Sequence, residues 1–147
     1  MNIYIDADAC PVVVKEIVVK AAERTGTLAT FVANQYVKLP PSKYAKCLVV
    51  EAGFDVADQR IADMAEENDI VITADIPLAH DAIVKGAHVI HPRGEKFTES
   101  NIKQKLVMRD FMDTMRASGV QTGGQNKYSE RDKQNFANQL DRLLAKK

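Results

Sequence analysis

Five aspartates stand where apolar runs give way to turns. Ile3-Tyr4-Ile5 leads into Asp6-Ala7-Asp8, Ile70-Val71-Ile72-Thr73-Ala74 leads into Asp75, and Asp55 and Asp58 flank the start of a helical pattern. In a strand, residues two apart point to one face, so Asp6 and Asp8 are expected to aim together past the end of strand one. Carboxylates that close repel unless a cation or a shared proton offsets the repulsion. An all-oxygen set suits a hard divalent ion, Mg²⁺ or Mn²⁺, over zinc, which favours nitrogen and sulfur. Such an ion positions an attacking water and offsets charge on a phosphoryl group during in-line displacement. Each acid also has an ordinary explanation. Asp8 or Asp75 could cap the helix that follows, Asp58 could be a first-turn acid favoured by the helix dipole, and Asp6 could be a solvated turn residue. Recurrence at strand ends favours a shared site. Its expected catalytic set is Asp6, Asp8, Asp58 and Asp75, with Asp55 joining them as a metal ligand. Asp6 and Asp75 hold the ion, Asp58 ligates a second ion or positions the water, and Asp8 supports either role.

These aspartates need a scaffold that brings strand ends together. Residues 2–6 read as strand one, and Pro11 suits the first turn of a helix through Arg24, with Val13, Ile17, Val18 and Ala21 inward and Gly26 as its stop. Leu28–Ala33 reads as strand two, Asn34–Tyr44 as a loop around Pro40-Pro41, and Cys47–Val50 as a short buried strand. A helix follows through Glu67 with Ile61, Met64 and Ala65 inward; then come a strand at Ile70–Ala74, a helix from Pro77 to about Lys85, and a strand at Ala87–Ile90. After the turn His91-Pro92-Arg93-Gly94, the pattern from Thr98 is helical through Ile102, Leu106, Phe111-Met112 and Met115. Ser118–Tyr128 reads as a polar loop, and a last helix spans about Ser129–Leu144 with Phe136, Leu140, Leu143 and Leu144 as its stripe and Ser129–Asp132 as its capping start. Strands alternating with helices predict an α/β fold with a mostly parallel sheet. If the strands are parallel neighbours, all five carboxylates meet at one sheet edge, where such sheets hold ligands.

The 147 residues suit one domain, residues 1–147, with a C-terminal helical extension from about 98. With 46% hydrophobic and 27% charged residues the chain has ordinary globular composition. No apolar run reaches the ~20 residues that cross a bilayer, and the N-terminus lacks a signal peptide's basic start. The expectation is a cytoplasmic protein without membrane contact. Cys10 and Cys47 form neither a metal spacing nor a disulfide framework, and Cys10 reads as a packing residue rather than a nucleophile. Net charge is zero, yet residues 1–92 carry 8 basic against 13 acidic residues (−5) and residues 93–147 carry 12 against 7 (+5). An acidic site beside a basic segment suits a polyanion handled through a metal. Arg93, Lys103, Lys105 and Arg109, with Lys96, are the candidate phosphate contacts, and Thr73 is a candidate hydroxyl for orienting a ligand or water; a solvated helix face and a β-favouring strand residue are the ordinary alternatives. Phe97, Phe111 and Phe136 are expected in the core rather than as base platforms.

The blocks Ile3-Tyr4-Ile5-Asp6-Ala7-Asp8-Ala9-Cys10-Pro11, Gly53-Phe54-Asp55 with Ala57-Asp58 and Ile61, and Ile72-Thr73-Ala74-Asp75-Ile76-Pro77-Leu78-Ala79 resemble the YaiI/YqxD family of small bacterial proteins. Thr98 with Asn101-Ile102, Arg109, Gly123-Gly124, Arg131-Asp132, Phe136 and Leu140-Asp141 extend the resemblance over nearly the whole chain. That family is largely uncharacterised and is placed with PIN-like domains, commonly Mg²⁺- or Mn²⁺-dependent ribonucleases. The resemblance therefore implies a PIN-like three-layer α/β fold, a Mg²⁺ or Mn²⁺ cofactor and nucleic acid, with RNA the expectation, as partner. Asp6 resembles the first PIN aspartate, and Asp58 with Ile61 and then Thr73-Ala74-Asp75 resemble the later elements. The middle PIN acid has no clear match, with Glu51 or Asp55 as stand-ins. Gly123-Gly124-Gln125 departs from relatives that carry proline after the glycines. PIN-like domains often pair, which leaves a homodimer open without locating its interface.

Two rival functions carry sequence support. Asp6-Ala7-Asp8 has the spacing with which phosphatases resembling the haloacid dehalogenase superfamily supply a nucleophile and an acid/base, although no lysine stands in an evident motif. The basic excess of the C-terminal third suits a non-catalytic RNA- or partner-binding module whose acids hold metal structurally.

Overall fold

The first strand is the axis of the fold. Ile3–Asp6 (β1) pairs in parallel with Ala29–Ala33 (β2) on one side and Ile70–Ile72 (β4) on the other. The structure is a computed structural model that describes residues 1–53, 55–117 and 127–146, with backbone alone at Arg116 and Ala117. Ala45–Val49 (β3) extends the sheet beyond β2, and His88–Ile90 (β5) then Lys96–Phe97 (β6) extend it beyond β4. The order is β3-β2-β1-β4-β5-β6, parallel except for the β5–β6 pair. Chain order reverses direction across the sheet at β1 and β4, the switch point where open α/β sheets form a crevice beyond their carboxyl ends.

Helices cover both faces, which is why the central strands are apolar on both sides. Ile3, Ile5, Phe31, Ile70, Ile72 and Ile90 pack with Val12–Thr25 (α1) and Glu130–Leu144 (α5). Their alternates, among them Val32, Val71, Val89 and Phe97, pack with Val56–Met64 (α2), Ile76–Val84 (α3) and Ile102 of Glu99–Ala117 (α4). The result is a three-layer α/β fold. Among the described residues no helix is long and apolar enough to cross a membrane.

Several boundaries differ from the sequence expectation for identifiable reasons. Pro11 is the N-cap of α1 rather than a residue of its first turn, and the inner face of α1 centres on Val14, Val18, Val19 and Ala22, leaving Val13 and Ile17 half-buried. β3 is not buried: it is an edge strand with Lys46 and Val49 exposed and Ala45, Cys47 and Leu48 half-buried. α2 ends at Met64, because the Asp69 carboxylate accepts the N–H of Glu66 (2.9 Å) and Lys85 Nζ donates to the Ala62 carbonyl (2.5 Å). β6 was invisible to pattern reading because two residues define no period; a turn with Gly94 N–H donating to His91 O (2.8 Å) folds it back on β5. Among the described side chains of α4 only Ile102 is buried, and Phe111, expected in the core, is 56% exposed. In α5 the expected stripe Phe136, Leu140, Leu143 and Leu144 is buried, and Ser129 and Asp132 form the capping box. Of the expected 118–128 loop, residues 118–126 with Gly119, Gly123, Gly124 and Gln125 lie outside the described residues, as does Phe54; Tyr128 is tied down by donating to the Pro92 carbonyl (2.8 Å).

Candidate functional site

Strand alternation builds the first half of the site. With Ile3 and Ile5 facing α1, Tyr4 and Asp6 face the α2 side; on β4 the same alternation turns Val71, and after it Thr73, to that side. Asp6 and Thr73 thus meet across neighbouring strands, and the Thr73 hydroxyl donates to Asp6 Oδ2 at 3.2 Å. Thr73 Oγ1 also accepts the Asp75 N–H at 3.0 Å. Thr73 is fully buried. It therefore orients two acids from within rather than meeting a substrate.

Two helix starts supply the rest. Asp75 is the N-cap of α3, accepting the Leu78 N–H at Oδ1 (2.8 Å), so the ordinary capping role is real and coexists with a place in the cluster. Asp58 lies in the first turn of α2, and Asp55 is its N-cap without a side-chain capping bond. Asp55 holds φ 61°, a left-handed conformation uncommon outside glycine and favoured among others by Asn and Asp. One carboxylate oxygen each from Asp55, Asp58 and Asp75 lies within 4.8 Å of the others. Asp58 sits centrally, in hydrogen-bond contact with both Asp6 and Asp75. The five sequence candidates thus come together at the carboxyl ends of β1 and β4, though not as a uniform ring.

Asp8 is the exception. The strand stops at Asp6, and Ala7–Ala9 form a 3₁₀ turn, which breaks the alternation that would have aligned Asp8 with Asp6. Asp8 is exposed, does not cap α1, and accepts the Asn34 N–H at 2.9 Å. It still borders a cavity of about 170 Å³ shared with Asp6, Asp55 and Asp58. Asn34 lines the same cavity, and its Oδ1 is the one buried side-chain polar atom among the described residues without a hydrogen-bond partner. Sequence reasoning missed Asn34; its position just after β2, next to β1, is the signal that could have found it.

Burial and mutual repulsion show in the acid strengths. Asp58 is pushed up to about 7, first by burial and then by the charges of Asp6 and Asp75. Burial also raises Asp6, against the opposing hydrogen bond from Thr73. Without a cation the cluster therefore retains a proton near neutral pH, shared around Asp58. Exposed or half-exposed oxygens, an excess of negative charge and an orphaned amide oxygen form a hard donor set that fits Mg²⁺ or Mn²⁺. Such an ion takes its oxygens at about 2.1 Å, so modest side-chain rotations close the set.

The cations divide. Arg109 lines a small cleft of about 90 Å³ together with Asp55, Asp58 and Asp75. Lys105 pairs with Glu95 and lies over the Phe97 ring in an adjoining groove. Arg93 is committed inward, at 2.8 Å from Asp132 and above the Tyr128 ring. Lys103 lines a separate hollow between the end of α3 and the start of α4, with His80 and Val84. Among the five candidate phosphate contacts, Lys96 included, Arg109 alone borders the acidic cleft, and it also lies 3.5 Å from Asp110 and 3.6 Å from Asp113. Cys10 is buried, and burial pushes its thiol up to about 12, which suits packing and not nucleophilic attack.

A family model described as an uncharacterised bacterial group, the YaiI/YqxD family, matches residues 4–146. The UPF0178 protein YE1167 of Yersinia enterocolitica is 58% identical over 144 residues, covering 98% of this chain and 95% of that protein. UPF0178 proteins of Yersinia pestis and Yersinia pseudotuberculosis are each 57% identical over the same share of both chains. No solved structure matches the chain.

Proposed function

The chain belongs to the YaiI/YqxD family, and from the acidic edge of its sheet we propose that it is a divalent-cation-dependent phosphodiester hydrolase, a PIN-like nuclease acting on RNA. The observation that carries the proposal is the convergence of Asp55, Asp58 and Asp75 within 4.8 Å around an Asp58 that also touches Asp6. Asp55, Asp58 and Asp75 would hold Mg²⁺ or Mn²⁺, with Asp8 and the orphaned Asn34 oxygen facing the neighbouring cavity. Such an ion, when bound, supplies positive charge that polarises a phosphoryl oxygen and lowers the pKa of bound water. The chain's own groups supply the rest. Asp6, held by Thr73 and raised by burial, is placed to take the proton of the attacking water. The water oxygen bonds to phosphorus as the bond to the leaving oxygen breaks, and the leaving oxygen takes a proton from solvent. Arg109, beside the cleft, offsets the charge that collects on the phosphoryl oxygens.

The phosphatase rival fits less well. Among the described residues no lysine lines either acidic cavity, and a lysine beside the phosphoryl group is what the phosphatase reading calls for. The test is incubation of mixed single-stranded and structured RNA with Mn²⁺, Mg²⁺ or chelator. Cleavage with either cation and none with chelator is expected. Folded protein that binds Mn²⁺ but leaves RNA intact refutes the reading, and a trapped phosphoaspartate at Asp6 replaces it with the phosphatase.

A further inference from the structure

Helix α4 carries its apolar stripe on the side away from the core. Ile102 is buried with the core residues of α3, and Arg109 borders the acidic cleft beside Pro77 and Leu78, so this side of α4 faces α3 and the sheet. At about 100° per residue, Val107 and Phe111 lie about 140–180° round the helix from Ile102 and Arg109, pointing away from the molecule. Val107 is 69% exposed, Met108 57% and Phe111 56%. Among the described residues eight large apolar side chains are exposed, and these three fall within five consecutive positions. Single exposed apolar residues are ordinary, whereas a contiguous set marks an interaction surface.

The stripe has the repeat of a two-helix seam. Gln104, Val107, Phe111 and Thr114 alternate at three and four residues, the spacing at which two paired helices keep one face in contact. The flanks decide what fits it. Lys103 and Asp110, seven residues apart, lie on one flank of the seam; Met108 and Met115, also seven apart, lie on the other. In a parallel pair of α4 helices opposite flanks meet, so Lys103 would face Met108 and Asp110 would face Met115 of the second helix. In an antiparallel pair each flank meets its own counterpart. Lys103 of each copy then faces Asp110 of the other, Met108 faces Met115, and Val107 packs on Phe111. Lys103 is exposed, and the Asp110 side chain is 75% exposed although it lies 3.5 Å from Arg109, so both reach a helix laid alongside.

We propose that α4 is the interface of a two-fold symmetric homodimer, in which the α4 helices of two copies pair antiparallel through Val107, Met108 and Phe111. A two-fold interface must be self-complementary, one residue meeting a second while the second meets the first. The antiparallel pair meets that demand along the seam and on both flanks at once. Its apolar seam takes the stripe out of water, and the Lys103–Asp110 pairs at its rim set orientation more than affinity. The acidic cleft stays open, because Arg109 lies on the inward side of α4, and the dimer stands or falls independently of the hydrolase reading.

The experiment is sedimentation equilibrium of the full chain from micromolar to submillimolar concentration, with circular dichroism confirming that each variant is folded. The proteins are wild type, Phe111→Glu, Lys103→Glu, Asp110→Lys and the double reversal Lys103→Glu with Asp110→Lys. Val12→Glu, at a 67% exposed apolar position on α1, is the control. Expected are a monomer–dimer equilibrium in the wild type, unchanged in the control, and a dimer Kd raised at least about thirtyfold by Phe111→Glu. Each single reversal sets like charges together twice per dimer and should raise Kd about tenfold, whereas the double reversal restores both pairs and should return it to within about threefold of wild type. A wild type that stays monomeric throughout overturns the proposal and leaves the stripe to a different protein. A dimer that Phe111→Glu leaves intact, or weakens no more than Val12→Glu does, overturns it by placing the interface elsewhere. Single reversals without rescue in the double reversal overturn the antiparallel pairing.

Discussion

Replacing Asp58 by Asn should make the metal-free protein more stable. Asp58 is squeezed between Asp6 and Asp75, and its carboxyl is pushed from 3.8 up to about 7 by burial and by those two charges. A raised acid binds its proton more tightly folded than unfolded. Below pH 3.8 both states are protonated and the group costs nothing; as pH rises toward 7 the unfolded state ionises first and stability falls, levelling off above 7. The full shift corresponds to about 4 kcal/mol, but Asp58 is partly exposed and solvent screening reduces the figure to about 1–2 kcal/mol. An Asn side chain has the same shape, carries no charge and can donate both amide hydrogens, one to Asp6 and one to Asp75. Thermal unfolding in chelator at about pH 8 should place D58N roughly 3–6 °C above wild type, with the gap closing toward pH 4. Adding Mn²⁺ should reverse the order, because only the wild type keeps the full ligand set. A D58N protein no more stable than wild type at pH 8 in chelator, or equally stabilised at pH 4, would refute the strained, proton-sharing cluster.

Other consequences concern single contacts. Thr73→Val removes the hydroxyl that holds Asp6 and receives the Asp75 N–H; metal-dependent cleavage should fall by about tenfold or more, as for outer partners of metal ligands, with a stability loss of about 1–3 kcal/mol in urea unfolding. Gly94→Ala puts a methyl 2.5 Å from Asn135 Cβ and 2.7 Å from the Phe136 backbone nitrogen at φ 96°. Neither the backbone of α5 nor that φ can yield cheaply, and denaturant midpoints should report a loss of about 2–3 kcal/mol. Ser129→Ala opens the capping box of α5 and should cost about 1 kcal/mol in the same assay.

What the sequence disclosed tracks what local patterning can encode. The apolar runs ending in Asp6 and Asp75 located both central strands and their carboxylates, because strand alternation and helix capping act within a few residues. The same logic misled at Asp8, where a 3₁₀ turn replaces one more residue of strand and no local preference marks the switch. α4 reads as amphipathic, yet its apolar residues beyond Ile102 have no partner, since helix periodicity records a face without recording whether anything covers it. Contacts between distant segments were out of reach: Asn34 beside Asp8, Arg93 with Asp132 across α5, and the Asp69 carboxylate that ends α2 and holds the Asn2 N–H. Among five candidate phosphate contacts, only the packing of α4 on α3 singles out Arg109.

The most direct test is RNA cleavage under Mn²⁺ with wild type, Asp6→Asn and Asp75→Asn run together. Neither substitution removes a core contact, and an Asn at 75 can still cap α3, so both proteins should fold. The account predicts cleavage by the wild type that chelator abolishes, and a fall of roughly a hundredfold or more in both variants. Cleavage that survives in Asp75→Asn at the wild-type rate would contradict it, and would move any activity away from the carboxyl ends of β1 and β4.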